Sequence, residues 1–168
     1  MDQQIQSQEE WVLYRLEKFY SNADNLSRIQ NIIEGNSNIS LRLIDWFVTN
    51  YAKKFNTRIM TKSKKHVIVY LSYKSHLKAY SKKMFDPFCR CKRIKFKGLD
   101  TTVGQLNFFE WIISDEILEY IEQNREKIHA DMELRMHEKD GTQRRHELST
   151  SATNTVSKHD ILVKVTFD

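Results

Sequence analysis

The sequence predicts an α+β protein in which a small antiparallel sheet packs against several helices and carries a basic central face. The chain of 168 residues contains four glycines and one proline, too few for the many turns of an all-β sandwich. Apolar residues recur at helical spacing in both halves, whereas a central stretch is rich in β-branched and aromatic residues. The hydrophobic fraction of 40% is typical of a chain with a buried core.

Three helices are predicted before residue 56. They cover residues 7–20, 21–36 and 38–55, each with apolar side chains at spacings of three and four. Gly35 is a suitable end for the second helix because glycine readily adopts the left-handed conformation found at helix C-termini. In the third helix we expect the apolar side chains to face the core and Arg42 to face outwards.

Strands and a short helix are predicted in the middle of the chain. Val67 to Ser72 is a predicted strand because its residues are mostly β-branched or aromatic and include few breakers. A short basic helix is predicted at residues 74–85, ended by Pro87. Residues 92–97 alternate between apolar and basic side chains, which is typical of a strand with one solvated basic face.

A long helical region is predicted after the second strand. Its expected N-cap is Asp100 or Thr101, because both side chains can accept a hydrogen bond from the first turn. A break is predicted at Ser114–Asp115, and the apolar stripe fades after Met136.

The same patterns predict the domain organisation. Residues 1–137 are expected to form a single α+β domain. Residues 138–158 are polar and have no useful hydrophobic spacing, which predicts a flexible linker. Residues 159–168 contain alternating apolar side chains, which predicts a C-terminal strand that returns to the domain sheet.

The positive charge of the chain is concentrated in one segment. Residues 51–98 carry fifteen basic side chains and one acidic side chain, whereas residues 99–168 carry eight basic and fourteen acidic. The net charge of +5 therefore conceals a strongly basic centre between acidic flanks. Because like charges repel one another, we expect a compensating partner. That partner is a nucleic acid, an acidic protein or the chain's own acidic C-terminal region.

The basic segment is the predicted site. Clustered lysines and arginines bind phosphate backbones with release of counterions, and rings between them can stack on bases. Tyr73 and Tyr80 are the predicted stacking residues, whereas the neighbouring rings of Tyr70, Phe85, Phe88 and Phe96 are expected in the core. The predicted phosphate contacts are Lys74, Lys78, Lys82, Lys83, Arg90, Lys92, Arg93, Lys95 and Lys97.

The two cysteines do not predict a metal site or a nucleophile. One residue separates Cys89 from Cys91, whereas structural zinc sites usually have about two to four residues between paired cysteines. A zinc site that also uses His66 and His76 is therefore not predicted. Neighbouring cations would lower the pKa of the thiols, but the sequence displays no base and orienting residue to complete a catalytic set.

Other catalytic chemistry is not predicted either. Asn107 is expected to be a structural hydrogen-bonding residue. The glycine pattern of a phosphate-binding loop is missing from the sequence. We therefore predict no enzyme activity, no catalytic residue, no metal and no cofactor. Four carboxylates of the long helix are expected to be solvated rather than to act as acids or bases: Glu110, Asp115, Glu116 and Glu119.

The sequence also predicts the cellular compartment. Its first residues are polar and acidic, unlike a secretory signal, and no apolar stretch approaches the length of a membrane span. The two cysteines do not form a disulfide framework. We therefore expect no membrane partner and a reducing compartment, the cytosol or the nucleus.

Four stretches carry a resemblance to a known family. They are SLRLIDWFVTNYAKK at residues 40–54, VYLSYKSHLKAYSKKMFDPFCR at 69–90, RIKF at 93–96 and TTVGQLNFFEW at 101–111. Together they resemble a family of small basic proteins encoded by nucleocytoplasmic large DNA viruses of the mimivirus and chlorovirus kind. The resemblance covers roughly residues 40–121. It implies a viral protein located in the host cytoplasm, at the viral factory, or in the virion, and it transfers no catalytic residue.

Charge and resemblance together predict a non-enzymatic nucleic-acid-binding protein of a large DNA virus. Backbone contacts carry little sequence information, so weak sequence preference is expected. The alternative is a minor capsid or virion-assembly protein whose basic face docks on an acidic surface of a viral structural protein. The sequence does not separate DNA from RNA as the partner, and it predicts no oligomeric state.

Overall fold

The structure is a computed structural model that describes residues 8–142, and side chains within residues 10–136 apart from Lys82. The N-terminal elements are α1 (Gln8–Phe19), α2 (Ala23–Ile33), α3 (Leu41–Trp46), a π-helical turn (Phe47–Tyr51) and α4 (Ala52–Phe55). The middle elements are β1 (Arg58–Met60), β2 (His66–Ile68), α5 (Val69–Tyr80), a 3₁₀ turn (Lys82–Met84), β3 (Ile94–Phe96) and β4 (Leu99–Thr101). The last helices are α6 (Val103–Ser114), α7 (Ile117–Gln123) and α8 (Arg125–Thr142). The predicted α+β class is confirmed.

Helix α6 lies at the centre of the core. Every residue from Val103 to Phe109 is buried, and so are Trp111, Ile112 and Ile113. A helix that is apolar on all sides must be covered on all sides. The covering elements include α1, α7 and the 3₁₀ turn.

The predicted N-terminal helices are confirmed. The side chain of Asn22 accepts hydrogen bonds from the first turn of α2, and Gly35 follows that helix with a φ of +82°. The third predicted helix runs from Leu41 to Phe55 but contains a π-helical turn that the spacing did not predict. All five residues of this turn are buried.

The predicted strand at 67–72 is wrong beyond Ile68. β2 ends at Ile68 and α5 begins at Val69. Val69 and Tyr73 are both buried on the inner side of this helix. The β-branched composition favours a strand, but packing against the core overrides that preference. The predicted basic helix therefore begins five residues earlier than expected and ends at Tyr80.

The strands within residues 8–142 form two separate antiparallel pairs, so the single predicted sheet is wrong. β1, which was not predicted, pairs with β2, with Ile59 opposite Val67. β3, inside the predicted strand at 92–97, pairs with β4. Each strand is three residues long, and each pair is completed by the neighbouring segment of chain rather than by a distant strand.

A tight turn joins β3 to β4. Lys97 and Gly98 have φ values of +49° and +85°, and positive φ at both positions is the requirement of a two-residue type I′ turn. Asp100 and Thr101 consequently lie in β4, so the predicted N-cap is wrong. Thr102 caps α6 instead, and its hydroxyl oxygen accepts a hydrogen bond from the backbone N–H of Gln105 at 3.0 Å.

The predicted break in the long helical region is confirmed. α6 ends at Ser114, and α7 begins after Glu116, which has a φ of +60°. α8 continues to Thr142, five residues into the segment predicted to be a linker. The remainder of that segment and the strand predicted at 159–168 lie outside the described residues.

Candidate nucleic-acid interface

The basic loop, defined as residues 81–93, is attached to α6 by hydrogen bonds from uncharged side chains. Asn107 Nδ2 donates to the carbonyl oxygen of Met84 at 2.9 Å. Gln105 Nε2 donates to the carbonyl oxygen of Pro87 at 2.7 Å. Both contacts hold the loop by its backbone. The charged side chains of the loop are therefore not needed for these attachments.

Gly104 allows the basic loop to lie directly on α6. A Cβ atom at this position would be 2.6 Å from the carbonyl oxygen of Lys83 and 3.2 Å from the carbonyl carbon of Met84. In addition, the Asp86 amide donates to the carbonyl oxygen of Gly104 at 3.2 Å. Any side chain at position 104 would therefore push the loop away from the helix.

Phe85 inserts from the loop into an aromatic cluster between α5 and α6. Its ring is 2% exposed, and its centroid lies 5.2 Å from that of Phe108 and 5.5 Å from that of Trp111. The rings of His76 and Tyr80 stack near it at 5.4 and 5.6 Å. The prediction that Phe85 belongs to the core is confirmed, and its ring fastens the loop to the domain.

The two predicted stacking residues are both engaged within the protein. Tyr73 is 3% exposed and packs against Trp111, so the prediction that it stacks on a base is wrong. The helical path of α5 turns its ring inwards. Tyr80 is half-buried, and one face of its ring stacks on Phe85 with planes 5° apart. Its hydroxyl accepts from Arg15 Nη2 at 3.3 Å.

The predicted phosphate contacts lie on the surface. Eight of the nine side chains are described, and all eight are exposed. Lys74 and Lys78 share one face of α5 because they are four positions apart, about one helical turn. The others follow on the basic loop and on the β3–β4 hairpin: Lys83, Arg90, Lys92, Arg93, Lys95 and Lys97.

The acidic side chains of α6 to α8 pair with cations outside this set. Among the described predicted contacts, Lys95 alone forms an ion pair with another described residue, Asp100, at 2.9 Å, and both side chains are exposed. The acidic side chains described up to residue 136 therefore do not neutralise most of the predicted site. The ion pairs that they form elsewhere include Arg15–Glu110, Arg28–Glu119 at 3.1 Å, Lys54–Asp131 at 3.7 Å and Lys65–Asp115 at 2.9 Å.

The carboxylates expected on a solvated face instead hold other elements, so that prediction is wrong. Asp115 is 6% exposed and pairs with Lys65. Glu116 accepts from the Lys62 amide at 3.1 Å, which docks the β1–β2 connection beside Asp115. Glu110 and Glu119 form the ion pairs with α1 and α2.

Arg15 joins α1 to α6 and contacts Asn107, a residue that holds the basic loop. It pairs with Glu110, and its Nη2 donates to Asn107 Oδ1 at 2.9 Å. Burial alone would lower the pKa of Arg15, but the hydrogen bond and charge of Glu110 oppose burial and leave that pKa raised. Asn107 thus accepts from Arg15 and donates to the loop. Its predicted structural role is confirmed.

Cys89 and Cys91 lie in the basic loop as free thiols. Cys89 is half-buried and Cys91 is exposed. Burial raises the pKa of the Cys89 thiol, and the nearby Arg93 opposes this only in part. The expected lowering of the thiol pKa by neighbouring cations is therefore wrong for Cys89. Over the described range, no group of three or more histidine, cysteine or acidic side chains is arranged to hold a metal ion.

Sequence reasoning missed a pairing of Tyr70 with two lysines. Lys53 Nζ lies 5.5 Å and Lys74 Nζ 5.7 Å from the centroid of the Tyr70 ring. A strand at 67–72 would have separated Tyr70 from Lys74. The helix places them one turn apart on the same face.

The fold and the site define a small helical α+β protein that presents a basic loop on a buried central helix. The chain belongs to a family of unknown function, DUF7197, whose model matches residues 1–168. This membership agrees with the resemblance stated from the sequence.

A relative in a large DNA virus supports the same relationship. The chain is 38% identical over 135 residues to "Uncharacterized protein L507" of Acanthamoeba polyphaga mimivirus. The matched region covers 72% of this chain and 52% of the relative. The chain thus spans about half the length of this curated relative. The predicted resemblance to a mimivirus-like family is confirmed. No solved structure matches the chain.

The helices of residues 8–142 do not meet the requirements of a membrane span. Crossing a bilayer takes about 20 predominantly apolar residues. None of these helices combines that length with that apolar character.

Proposed function

We propose that this protein binds nucleic acid through the phosphate backbone, without catalysis and with weak sequence preference. The observation that supports the proposal is the distribution of ion pairs. Acidic side chains of α6 to α8 pair with Arg15, Arg28, Lys54 and Lys65. Among the described side chains, those of residues 10–136 apart from Lys82, seven of the predicted cations are exposed and form no ion pair: Lys74, Lys78, Lys83, Arg90, Lys92, Arg93 and Lys97.

Phosphate groups are suitable partners for such a surface. Lysines and arginines that neutralise phosphates release condensed counterions, and this release supplies most of the affinity of non-specific binding. Four of these cations, Lys83, Arg90, Lys92 and Arg93, lie on the basic loop, whose backbone is held by Gln105 and Asn107. The loop can therefore bring its charges to a ligand without first losing its own attachments. Contacts of this kind read the backbone and little of the base sequence.

The test is fluorescence anisotropy with labelled single-stranded and duplex DNA and RNA, across about 50 to 200 mM salt. We expect binding that weakens steeply as salt rises. Four loop and helix cations without a described ion pair are replaced together by alanine: Lys78, Lys83, Arg90 and Lys92. Because each lost duplex phosphate contact lowers the slope by about 0.9, the slope for duplex should fall by about 3 to 4 in this variant.

The matched control removes the same charge from other surfaces. It replaces three exposed lysines and one exposed arginine outside the proposed site, Lys18, Lys62, Lys127 and Arg42, by alanine. A general loss of positive charge would weaken binding equally in both variants. The proposal requires a much larger loss in the site variant. Equal losses, or unchanged affinity in the site variant at low salt, would contradict it.

The same experiment distinguishes nucleic-acid binding from the alternative function in virion assembly. A virion-assembly protein whose basic face docks on an acidic protein surface should bind no short nucleic acid at the lowest salt. Such a result would overturn nucleic-acid binding and favour a viral structural protein as the partner. In either case we propose the host cytoplasm at the viral factory, or the virion, as the location, because the chain resembles proteins of large DNA viruses.

A further inference from the structure

The outer face of α1 carries two large exposed rings. Trp11 is 64% exposed and Tyr14 is 57% exposed, and their rings stack with centroids 5.9 Å apart and planes 22° apart. The opposite side of the helix holds it on the fold, because Leu16 is fully buried and Arg15 pairs with Glu110 of α6. Exposed apolar surface often marks a contact site between proteins, and tryptophan and tyrosine are among the residues that contribute most to such contacts.

A cation lies on the same face of α1. Lys18 follows Tyr14 by four positions, about one helical turn, and its Nζ lies 5.8 Å from the centroid of the Tyr14 ring. The Lys18 side chain is exposed, and an indole ring such as that of Trp11 is a better partner for a cation than a phenol ring. The face therefore contains both halves of a cation–π contact, with the ammonium towards one end and the exposed indole towards the other.

We propose that this face of α1 binds the same face of a second copy of the chain in an antiparallel, two-fold symmetric dimer. A two-fold interface uses one surface on both subunits, so that surface must be complementary to itself. If the axis passes close to Tyr14, Trp11 lies three positions to one side and Lys18 four positions to the other. The indole of each copy then meets the ammonium of its partner, and the two Tyr14 rings pack at the centre.

Charge selects the antiparallel orientation. In a parallel pairing, Lys18 would lie beside Lys18 of the other copy and the exposed Glu17 beside its own counterpart, so like charges would meet. Antiparallel pairing separates the two Lys18 positions by about 12 Å along the helix axis. It also brings each ammonium to an aromatic ring. The charges and the exposed rings of this face are thus complementary to a second α1.

The size of the face predicts a weak dimer. A buried aromatic side chain covers about 150 to 250 Å², and part of each ring on α1 is already covered by the fold. The four rings of two copies therefore contribute several hundred Å², less than the roughly 1,200 Å² of a stable interface. We expect a dissociation constant on the order of 100 µM, so the protein should be monomeric when dilute and dimeric when concentrated.

The experiment measures sedimentation equilibrium of the full chain and acrylamide quenching of its tryptophan fluorescence, both from about 5 to 500 µM. Two of the three tryptophans, Trp46 and Trp111, are 0% and 4% exposed, so the quencher reaches mainly Trp11. We expect the average mass to rise towards that of a dimer while quenching falls over the same range of concentration. The two changes together would place Trp11 in the interface.

Substitutions on α1 test the individual contacts. Trp11→Ala should raise the dissociation constant at least 10-fold, because each dimer loses two central rings. Lys18→Met keeps an apolar chain of similar length but removes the cation, and should raise the constant about 5- to 30-fold through the loss of two cation–π contacts. The matched control is Leu134→Ala, which shortens a side chain that is 59% exposed on α8 and should leave the constant unchanged. Circular dichroism melting of each variant establishes that it is folded.

A chain that stays monomeric at the highest concentration would overturn the proposal. A dimer in which Trp11 remains equally quenched, or one that Leu134→Ala weakens as much as Trp11→Ala does, would also overturn it, because the interface would then lie elsewhere. A monomer whose Trp11 resists the quencher at every concentration would overturn it in favour of another occupant of this face, such as residues 143–168 of the same chain. These measurements contain no nucleic acid, so their outcome is independent of the proposed function.

Discussion

The two ends of α6 hold neighbouring segments of the chain in opposite ways. At the C-terminal end, Asp115 and Glu116 bind the β1–β2 connection, through the Lys65 ammonium and the Lys62 amide. At the N-terminal end, the basic loop is held by the side chain of Gln105 and by backbone contact at Gly104. The Lys65 ammonium is paired with a carboxylate at one end, whereas at the other end Lys83 and Arg90 form no ion pair with a described side chain.

The comparison of the two ends of α6 distinguishes cations that hold the fold together from cations that are available to a ligand. A cation that holds two elements together is neutralised by its carboxylate and contributes little to an external field. Lys65 is such a cation, with its ammonium 2.9 Å from Asp115. The hydrogen bonds from Gln105 and Asn107 that hold the basic loop on α6 come from uncharged side chains, so Lys83 and Arg90 keep their charge for a partner. The comparison predicts that stability and ligand binding can be changed separately at the two ends.

The largest effect is expected from Gly104→Ala. Alanine is normally better than glycine within a helix by about 1 kcal/mol. Here its Cβ would lie 2.6 Å from the backbone oxygen of Lys83, and overpacking of this kind typically costs about 1 to 3 kcal/mol. The loop backbone is tied to α6 and cannot yield without losing those ties. We expect a net loss of stability in urea unfolding together with at least a 10-fold loss of nucleic-acid affinity.

Gly35→Ala is the matched control for that substitution. Gly35 has a φ of +82° and no other group within 4 Å of a Cβ, so alanine there costs about 1 to 2 kcal/mol through backbone strain alone. It should lower stability and leave nucleic-acid affinity unchanged. Equal affinity in Gly104→Ala and the unaltered protein would mean that the position of the loop does not matter for binding.

A smaller effect is expected from Asp115→Asn at the other end of α6. Hydrogen bonds to charged groups contribute about 1.5 to 3 kcal/mol. The Lys65 side chain is 61% exposed, so we expect solvent screening to reduce the loss of stability to about 1 kcal/mol. Nucleic-acid affinity should not fall, since no proposed contact is touched. A fall in affinity would show that the two ends are coupled.

Asp100→Asn makes the same chemical change as Asp115→Asn, but we expect it to alter nucleic-acid affinity rather than stability. Asp100 pairs with Lys95 on the surface, and both side chains are more than 60% exposed. Such a pair contributes little to stability. Its removal frees Lys95 for phosphate, so affinity should rise slightly while the midpoint of urea unfolding stays the same. The two substitutions together test whether Lys65 and Lys95 differ in role as the geometry indicates.

The sequence predicted the exposure of the cations in the site better than the orientation of its aromatic rings. Exposure of lysines and arginines follows from their hydration, which local sequence already contains. Whether a tyrosine faces a base or the core depends on the path of the backbone. A strand at 67–72 and a helix at Val69–Tyr80 give different faces to Tyr70 and Tyr73. The error in one element therefore became an error in the site.

The attachments of the loop could not be predicted for a different reason. Gly104 and Asn107 are separated from their partners Lys83 and Met84 by about twenty residues of sequence. Their role becomes visible only when the loop and α6 lie side by side. A glycine in an otherwise apolar helical pattern was the available signal, because such a glycine is often retained for close packing.

The smallest expected effect is a difference in reaction rate between the two thiols of the basic loop. This difference reports whether the loop stays attached to α6. Burial raises the pKa of Cys89, so at mildly alkaline pH less of it is thiolate than its ordinary pKa would give. Cys91 is exposed. In the unaltered protein we expect one thiol to react rapidly with 5,5′-dithiobis(2-nitrobenzoic acid) and one slowly. Cys89→Ser should abolish the slow phase, and Cys91→Ser the rapid phase.

Combining this measurement with Gly104→Ala tests the attachment of the loop itself. If backbone contact with α6 keeps Cys89 half-buried, displacement of the loop should expose its thiol and bring its rate close to that of Cys91. The Gly35→Ala control should keep the slow phase, because its strain lies far along the chain from the loop. Equal rates of the two thiols in the unaltered protein would contradict the burial of Cys89. An unchanged slow phase in Gly104→Ala would mean that other contacts, such as those of the buried Phe85 ring, suffice to hold the loop.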